Sequence, residues 1–350
     1  MPDPSVSAIV VNYRRAEMTG QCLRALTKAL EATGEATELV VVDNGSGDDS
    51  VTVVRQSAPG AVVVELPENA GFAAAACEGI RRARGEWVLL VNNDVIVERG
   101  SVRELLRAGR TAGDVGSVAA QMRFAGGRGT INSAGIGVDR LGIAFDRLLG
   151  APVAASEAQP VEVFGACNGA ALHRRRMLDD VGGIDASFFF SLDDVDLAWR
   201  ARMGGWRCLY APAAVVHHRH GGTGPHASDL KYFHVGLNRV RTVAKNADRR
   251  LLVRYGVAMV AYDLAYVVFA ALTDRTLAPL RGRLHGLREW RRYRVAGARR
   301  RPVELAPVRG PRAALGRRAV WLEHSGGSEG AAAAHDGGER LAEDLDVLAQ

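Results

Sequence analysis

Carboxylates recur just where apolar runs stop. Asp43, Asn44, Gly45 and Ser46 follow the run ELVVV, and Asn92, Asn93 and Asp94 follow EWVLLV. A carboxylate at such a point can accept hydrogen bonds from a base edge or a ribose hydroxyl. Asp94 offers the kind of oxygen that hard divalent cations such as Mg2+ or Mn2+ prefer, and Asn93 can contact a sugar or ribose. Both clusters also make ordinary turns, Asp43 an Asx turn ahead of a helix. A third cluster, SLDDVDL over Ser191–Leu197, follows Phe188–Phe190 and holds three acids in four residues. Acids there complement the dipole of the helix that follows. Asp196 can also pair with Arg200 at i+4 spacing, whereas Asp193 and Asp194 precede the helix and can point into a cleft. In the fourth, His217, His218, Arg219 and His220, imidazole suits a transition metal and the guanidinium a phosphate. Gly165–Ala170 (GACNGA) would let a backbone approach a sugar closely, or simply pack tightly.

The elements that must position these clusters alternate. Ser7–Asn12 (SAIVVN) reads as a buried strand, and Tyr13–Ala32 repeats apolar residues at helical spacing through Met18, Cys22, Leu23, Leu26 and Leu30. Strands over Glu38–Asp43, Ala61–Leu66 and Glu86–Val91 alternate with helices over Val51–Ala58 and Phe72–Arg84. That alternation indicates a parallel, doubly wound sheet, whose ligands bind at the carboxyl ends of the strands. A strand near Ser117–Met122 precedes an irregular, Gly-rich stretch, and Gly126–Asp146 reads as an excursion or hairpin over the site. Val161–His173 holds further strand, the helix DVDLAWRARMGG ends at Gly204–Gly205, and an extended strand resumes at Trp206. Beyond Gly224 the pattern is helical.

The chain has 350 residues, 47% of them hydrophobic, with a formal net charge of +6 that is unevenly placed. Arg281–Arg301 contains nine Arg and one Glu, while Ser325–Gln350 is acidic, rich in Gly and Ala, and reads as disordered. Residues 251–272 are apolar apart from Arg254 and Asp263. Charges at mid-helix cost about 2.5–3.5 kcal/mol each on insertion, so an interfacial or packed helix is expected rather than a span. With the Arg run and Trp290 and Tyr293 behind it, this region reads as a surface that could meet anionic lipid, or as a solvated basic face. No nucleic-acid module accompanies the Arg run. Cys22, Cys77, Cys167 and Cys208 lie far apart, with neither knuckle nor disulfide spacing, which suits a reducing cytoplasm. The N-terminus begins a strand and shows no signal peptide.

Taken in order, VVNYR, ELVVVDNGSGDDS, PENAGFAAAACEGIRRARGEWVLLVNNDV, GACNGAALHRR and FFFSLDDVDLAWRARMGGWRCLYAPAAVVHHRHGGT resemble the family-2 inverting glycosyltransferases. The likeness is closest to the rhamnosyltransferase-like branch and covers roughly residues 5–250. It implies a GT-A fold over residues 5–245: a Rossmann-like, mostly parallel sheet flanked by helices. A helical, basic region able to associate with a membrane would follow over 246–320, and an acidic Gly/Ala-rich disordered tail over 321–350.

By the same resemblance, Asp43 is the acid near the nucleotide base, and Asn12, Asn44, Asn69, Gly71, Asn92 and Asn93 belong to the nucleotide-sugar pocket. Asp94 is the last acid of a D-x-D motif that here reads Asn92-Asn93-Asp94. Asp194, paired with Asp193 where the family has Glu-Asp, is the catalytic base. His218, with His220 second, binds the metal. The frequent R-N-R after the histidines reads Leu237-Asn238-Arg239. The implied reaction is displacement with inversion, from dTDP-rhamnose or a UDP sugar, with Mg2+ or Mn2+, to a glycan or lipid-linked acceptor at the inner face of the cell membrane. A non-catalytic nucleotide-sugar-binding protein would not be expected to keep Asp94, Asp194 and His218 together. A nucleotidyltransferase would carry a Gly-rich basic loop after the first strand, where this chain reads NYRRAEMTG.

Overall fold

The computed structural model describes residues 3–126, 129–219, 228–294, 302–310, 316 and 318–320. His220, the end of the Arg run and the acidic tail lie outside them. The first half alternates as the sequence predicts: β1 (Val6–Asn12), α1 (Ala16–Glu31), β2 (Thr37–Asp43), α2 (Ser50–Ser57), β3 (Val62–Glu65), α3 (Phe72–Arg82), β4 (Trp87–Asn92), β5 (Val95–Val97), α4 (Ser101–Gly109) and β6 (Val115–Phe124). There follow β7 (Ile131–Ser133), β8 (Ile136–Val138), β9 (Ala144–Asp146), β10 (Val161–Val163), β11 (Ala170–Arg174), α5 (Arg175–Val181), α6 (Asp193–Met203) and β12 (Arg207–His218). The last four helices are α7 (Asp229–Asn246), α8 (Arg249–Thr273), α9 (Ala278–Arg288) and α10 (Trp290–Tyr293). Helix α1 starts later than its apolar spacing suggests, because Arg14 and Arg15 take left-handed φ values of 57° and 63°.

The main sheet runs β10-β12-β6-β11-β4-β1-β2-β3, with β5 on β12 and β7 on β6. Its long ladders are parallel, β3-β2-β1-β4 on one side and β6-β12 on the other. Both faces are covered, which is why β1 is buried at every position and reads as an unbroken apolar run. Leu23, Leu26, Leu105 and Leu106 cover one face; Ala73, Ala76, Met177 and Leu197 cover the other.

Register gathers the polar clusters at one edge. Asn12 stands beside Asp43 across β1 and β2, and Asn92 beside Val11 across β4 and β1. Strand β11 runs antiparallel between β4 and β6, with Ala170 opposite Val91, so the GACNGA segment enters at that edge. Strand β5 turns back on β12, pairing Val95 with His218 and setting Asp94 beside the histidine. The expected excursion forms β7 against β6 and a separate β8–β9 hairpin.

Helix α7 braces the loop that leads into α6. Lys245 Nζ lies 2.6 Å from Asp185, Arg241 donates to the carbonyl of Ser187 (2.6 Å), and Asn238 Nδ2 donates to the carbonyls of Phe188, Phe190 and Ser191 at 3.1, 3.0 and 2.9 Å. Asn238 and Arg239 are thus internal struts rather than groups aimed at a phosphate. Arg239 donates to the carbonyls of Leu141 and Gly142 and shares Asp263 with Arg283.

Asp263 does not interrupt the outer face of α8, because its carboxylate turns inward. Val257, Val260, Leu264, Val268 and Leu272 are all exposed, and α8 is long and apolar enough to cross a membrane by length and composition. Residues 302–310 depart from the helical expectation for this region. They run extended, with Ala306 N–H donating to the carbonyl of Val138 (2.9 Å) and Arg140 N–H to that of Ala306 (3.0 Å).

Replacing Asn238 by Leu strips three loop carbonyls of their shared donor. An unsatisfied buried polar group costs about 1–3 kcal/mol, so Asn238→Leu is expected to destabilise the chain by at least that much in urea unfolding. An unchanged midpoint and slope would show that the loop does not depend on this strut.

Candidate active site

The first half of the site is a chain of buried amides and hydroxyls at the ends of β1, β2 and β4. Asn12 Nδ2 donates to Asp43 Oδ1 (2.7 Å) and Ser46 Oγ (3.1 Å), and Ser46 N–H and Oγ–H both donate to the Asp43 carboxylate. Thr19 Oγ donates to Asn12 Oδ1 at 2.5 Å, and Asn93 Nδ2 to Thr19 Oγ at 3.0 Å. Asn93, expected to reach a sugar or ribose, is buried here and holds Asn12 in place from behind. Next to it, Asn44 Nδ2 donates to Asn69 Oδ1 (2.8 Å), Ala70 N–H to Asn44 Oδ1, and Gly71 N–H to Asn69 Oδ1. Gly71 has φ +84°, and a Cβ there would meet Phe189 at 2.5 Å, so only glycine lets this turn close on the loop before α6.

The second feature is the Asp94–His218 pair. Asp94 is buried, its Oδ1 has no hydrogen-bond partner, and its Oδ2 lies 3.4 Å from His218 Nε2. His218 Nδ1 lies 2.9 Å from Asn132 Oδ1. With that oxygen accepting, Nδ1 carries the proton and Nε2 presents its lone pair beside Asp94, the tautomer a metal ligand needs. An orphaned buried carboxylate oxygen next to such a nitrogen fits a divalent cation. No group of three or more His, Cys, Asp or Glu gathers among the described residues, so an ion here needs ligands beyond Asp94 and His218.

The third feature is the start of α6. Asp193 and Asp194 are its first two residues rather than preceding it. Asp193, expected to face the cleft beside Asp194, is buried instead, and its Oδ2 accepts from Asn168 Nδ2 at 2.8 Å. Asn168 Oδ1 then faces His173 Nε2 (3.0 Å), and His173 Nδ1 faces Ser117 Oγ (2.9 Å). Since Asn168 spends its amine on Asp193, its oxygen accepts from His173 Nε2–H, and Nδ1 accepts from Ser117. Burial pushes His173 down to about 4 and keeps it neutral. Asp196, fully buried, is held by Arg200 (2.8 Å), Lys245 (3.0 Å) and Asn246 (2.8 Å).

Asp194 retains a partly accessible surface, and its Oδ1 accepts from Val195 N–H at 2.8 Å. Desolvation, then the negative charges of Asp193 and Asp146, push its pKa well above the ordinary carboxylate range. Asp193 is also raised, by burial first and then by Asp196, against the lowering pull of Asn168.

The Asp94 and Asp194 halves meet through the GACNGA segment. Asn92 N–H donates to the carbonyl of Gly169 at 3.0 Å, and a Cβ at Gly169 would crowd Met122 and approach Asn92 Nδ2. The preceding residue, Asn168, binds Asp193. The polar links Thr19, Asn132, His173 and Asp146 escape a reading by clusters. The signal for two of them was a lone polar side chain on an apolar face: Thr19 among the buried residues of α1, and His173 within AALHR.

Comparison with known proteins places the sequence in a family and the structure in a fold. A family model described as "Glycosyl transferase family 2" matches residues 7–182, just over half of the chain. The chain is 27% identical over 232 residues to N-acetylglucosaminyl-diphospho-decaprenol L-rhamnosyltransferase of Mycobacterium tuberculosis (strain CDC 1551 / Oshkosh), covering 57% of this chain and 73% of that protein. It is 31% identical over 111 residues to the succinoglycan biosynthesis protein ExoO of Rhizobium meliloti (strain 1021), and spans only 31% of that protein's length. Among solved structures, it resembles the mannosyltransferase PcManGT of Pyrobaculum calidifontis, solved with GDP-Man and Mn2+, at a TM-score of 0.52 and 18% identity over 93% of this chain and 87% of that one. GalNAc-T7, solved with UDP, GalNAc and Mn2+, gives a TM-score of 0.55 at 13% identity over 70% of this chain and 48% of that one. These structural likenesses establish the GT-A fold; the family follows from the sequence model, and the chain belongs to glycosyl transferase family 2.

Proposed function

We propose that the chain transfers a sugar, rhamnose before others, from a nucleoside-diphosphate donor to a hydroxyl of a lipid-linked saccharide or envelope glycan, with inversion. The observation that carries this is the joining of Asp94, with its orphaned oxygen beside His218, to the Asp193–Asp194 start of α6 through Asn92, Gly169 and Asn168. The rhamnosyltransferase relative supports the choice of sugar and of a diphospho-polyprenol acceptor.

Asp43, Asn12 and the Asn44–Asn69–Gly71 turn would bind the nucleotide. Asp94 and His218 would hold a divalent cation together with the donor's phosphates. Bound there, Mg2+ or Mn2+ would supply charge stabilisation for the departing nucleoside diphosphate. Asp194 takes the proton from the acceptor hydroxyl as that oxygen attacks the anomeric carbon and the bond to the diphosphate breaks. A carboxylate suits a cationic, oxocarbenium-like transition state. His218, through Nε2, and the fixed amides around Asp43 orient the donor; Asn168 orients the acids.

The exposed side of α8 supports a membrane-adjacent acceptor. From Val257 to Leu272 its exposed residues are apolar, and Arg249, Arg250 and Arg254 lie exposed near one end with Arg275 and Arg281 beyond the other. That is the pattern of a helix lying in an anionic lipid surface.

The primary test is a panel of nucleotide sugars, dTDP-rhamnose first and UDP sugars next, with Mg2+ or Mn2+, scored by diphosphate release and thermal shift. Asp94→Ala should abolish nucleotide-dependent Mn2+ binding, read by the loss of the free-ion resonance signal. Retained binding would remove Asp94 from the metal site.

Asp194→Asn should lower turnover by about 10²–10⁴-fold with donor binding preserved, and wild-type turnover should climb with pH as Asp194 loses its proton. The same variant has a stability signature. A carboxylate whose folded-state pKa is raised costs stability as pH climbs from its unfolded value to its folded one. Asp194→Asn should therefore melt higher than wild type near neutral pH and equal it in acid. Near-normal turnover would exclude Asp194 as the base.

The full chain should co-sediment with vesicles containing anionic lipid, and the double variant Val257→Asp, Leu264→Asp should weaken this about tenfold or more, a buried Val or Leu being worth about 1.5–3 kcal/mol. Equal sedimentation would argue for a soluble acceptor.

A further inference from the structure

A cleft of about 570 Å³ lies between Phe145–Leu149 and the extended segment Ala306–Arg309. The donor-side residues take no part in it. Its outer wall is anchored by backbone pairing of Ala306 to Val138 and Arg140, by Arg309 N–H donating to Asp139 Oδ2 (3.2 Å), and by Leu305, buried against Ile136, Val195 and Trp199. The last two belong to α6, so this wall packs directly on the helix that begins with Asp193 and Asp194.

The lining is divided by chemistry. The Arg309 guanidinium lies over the Phe145 ring, 4.1 Å from its centroid, and among the described residues it has no carboxylate partner. Arg147 faces Glu157 at 2.5 Å and donates to the carbonyl of Ala134. Leu148, Leu149, Pro307 and Val308 supply apolar surface. Asp146 belongs to the lining and also to the surroundings of Asp194, whose ionisation its charge opposes. Just before Phe145, Leu141 and Ile143 pack with Met259 and Tyr262 of α8, so the loop forming the cleft also touches the apolar helix.

A guanidinium that forms no ion pair with a carboxylate among the described residues, apolar walls and a proposed base nearby suit an anion at the head of an apolar chain. We infer that this cleft is the acceptor subsite and that it takes the diphosphate of a prenyl-diphosphate-linked saccharide. Arg309 pairs with the phosphate, Leu149, Pro307 and Val308 cover the start of the chain, and Asp146 accepts from a sugar hydroxyl beside Asp194. The assignment rests on the transferase reading of Asp194, and not on which sugar is transferred. The adjoining face of α8 favours a lipid-borne phosphate over a free one.

The test is binding of farnesyl diphosphate, below its micelle concentration, to the full chain by calorimetry without any sugar donor. Inorganic pyrophosphate and farnesol serve as separate arms. Wild type should bind farnesyl diphosphate at least about tenfold more tightly than either fragment. Arg309→Glu should weaken farnesyl diphosphate about tenfold or more, any weaker pyrophosphate binding falling with it, and Arg309→Lys should recover part of the loss. Arg309 is exposed, so unchanged far-ultraviolet dichroism is expected in both variants. Farnesyl diphosphate affinity within twofold of wild type in Arg309→Glu would overturn the assignment. Pyrophosphate binding to wild type as tightly as farnesyl diphosphate would make this a free-phosphate site and overturn the lipid. Failure of the transferase reading appears elsewhere, as no product from any donor, and leaves this binding measurement intact.

Discussion

Three carboxylates within the first turn of α6 repel one another, and the surrounding structure answers that repulsion unequally. Asp196 receives Arg200, Lys245 and Asn246 and is fully buried as a paired charge. Asp193 receives one neutral amide, Asn168, which is itself fixed by His173 and Ser117. Asp194 receives only main-chain N–H groups, from Val195 and Asn168, while Asp193 and Asp146 press on it with like charge. Ionisation of Asp194 is therefore opposed, and Asp194 is the one of the three whose surface stays partly accessible. A basic carboxylate in an accessible position is what proton abstraction from a hydroxyl calls for, and its basicity comes first from desolvation and then from the charges of Asp193 and Asp146.

The same loop carries backbone distortion. Phe189, Ser191 and Leu192 all take positive φ, at 27°, 68° and 64°. Such conformations cost of the order of 1–3 kcal/mol each and persist only where neighbours over-determine them. Here the neighbours are Asn238 and Arg241 on α7 and the glycine at position 71, whose missing side chain admits Phe189. The proposed base and the proposed nucleotide turn thus share a contact. Helix α7 is itself fixed to the β8–β9 hairpin and to α8 by Arg239 and Asp263, so the hairpin, the loop before α6 and the apolar helix form one braced unit.

The alternation of strands and helices was legible because each buried parallel strand is a short apolar run and each flanking helix repeats at helical spacing. The clusters Asp43–Ser46, Asn92–Asp94 and Asp193–Asp194 were legible because polar residues at strand ends stand out against those runs. Facing was not. Asn93 and Asp193 looked as available as their neighbours, yet each turns inward, and only the register of β4 and the pairing of β11 determine that. Asp263 looked like a break in an apolar helix, and its partners Arg239 and Arg283 lie on other helices, beyond the reach of any local pattern. Residues 302–310 lack the alternation of a strand and are ordered by backbone pairing to Val138 and Arg140, which composition does not announce.

The asparagine at position 92 has a physical consequence for the proposed metal. A carboxylate there would add a second negative ligand near Asp94, and would also bring another charge against the Gly169–Asn168 segment that binds Asp193. With asparagine, the cluster at α6 is spared a further repulsion, and an ion held by Asp94 and His218 keeps more of its positive charge. That residual charge would be available to a donor's diphosphate, which on the proposed reading would share in holding the ion. Linkage then makes the dependence mutual: the nucleotide tightens the metal by the same factor that the metal tightens the nucleotide. The orphaned Oδ1 of Asp94 is consistent with such a half-site, one the chain leaves for its substrate to complete.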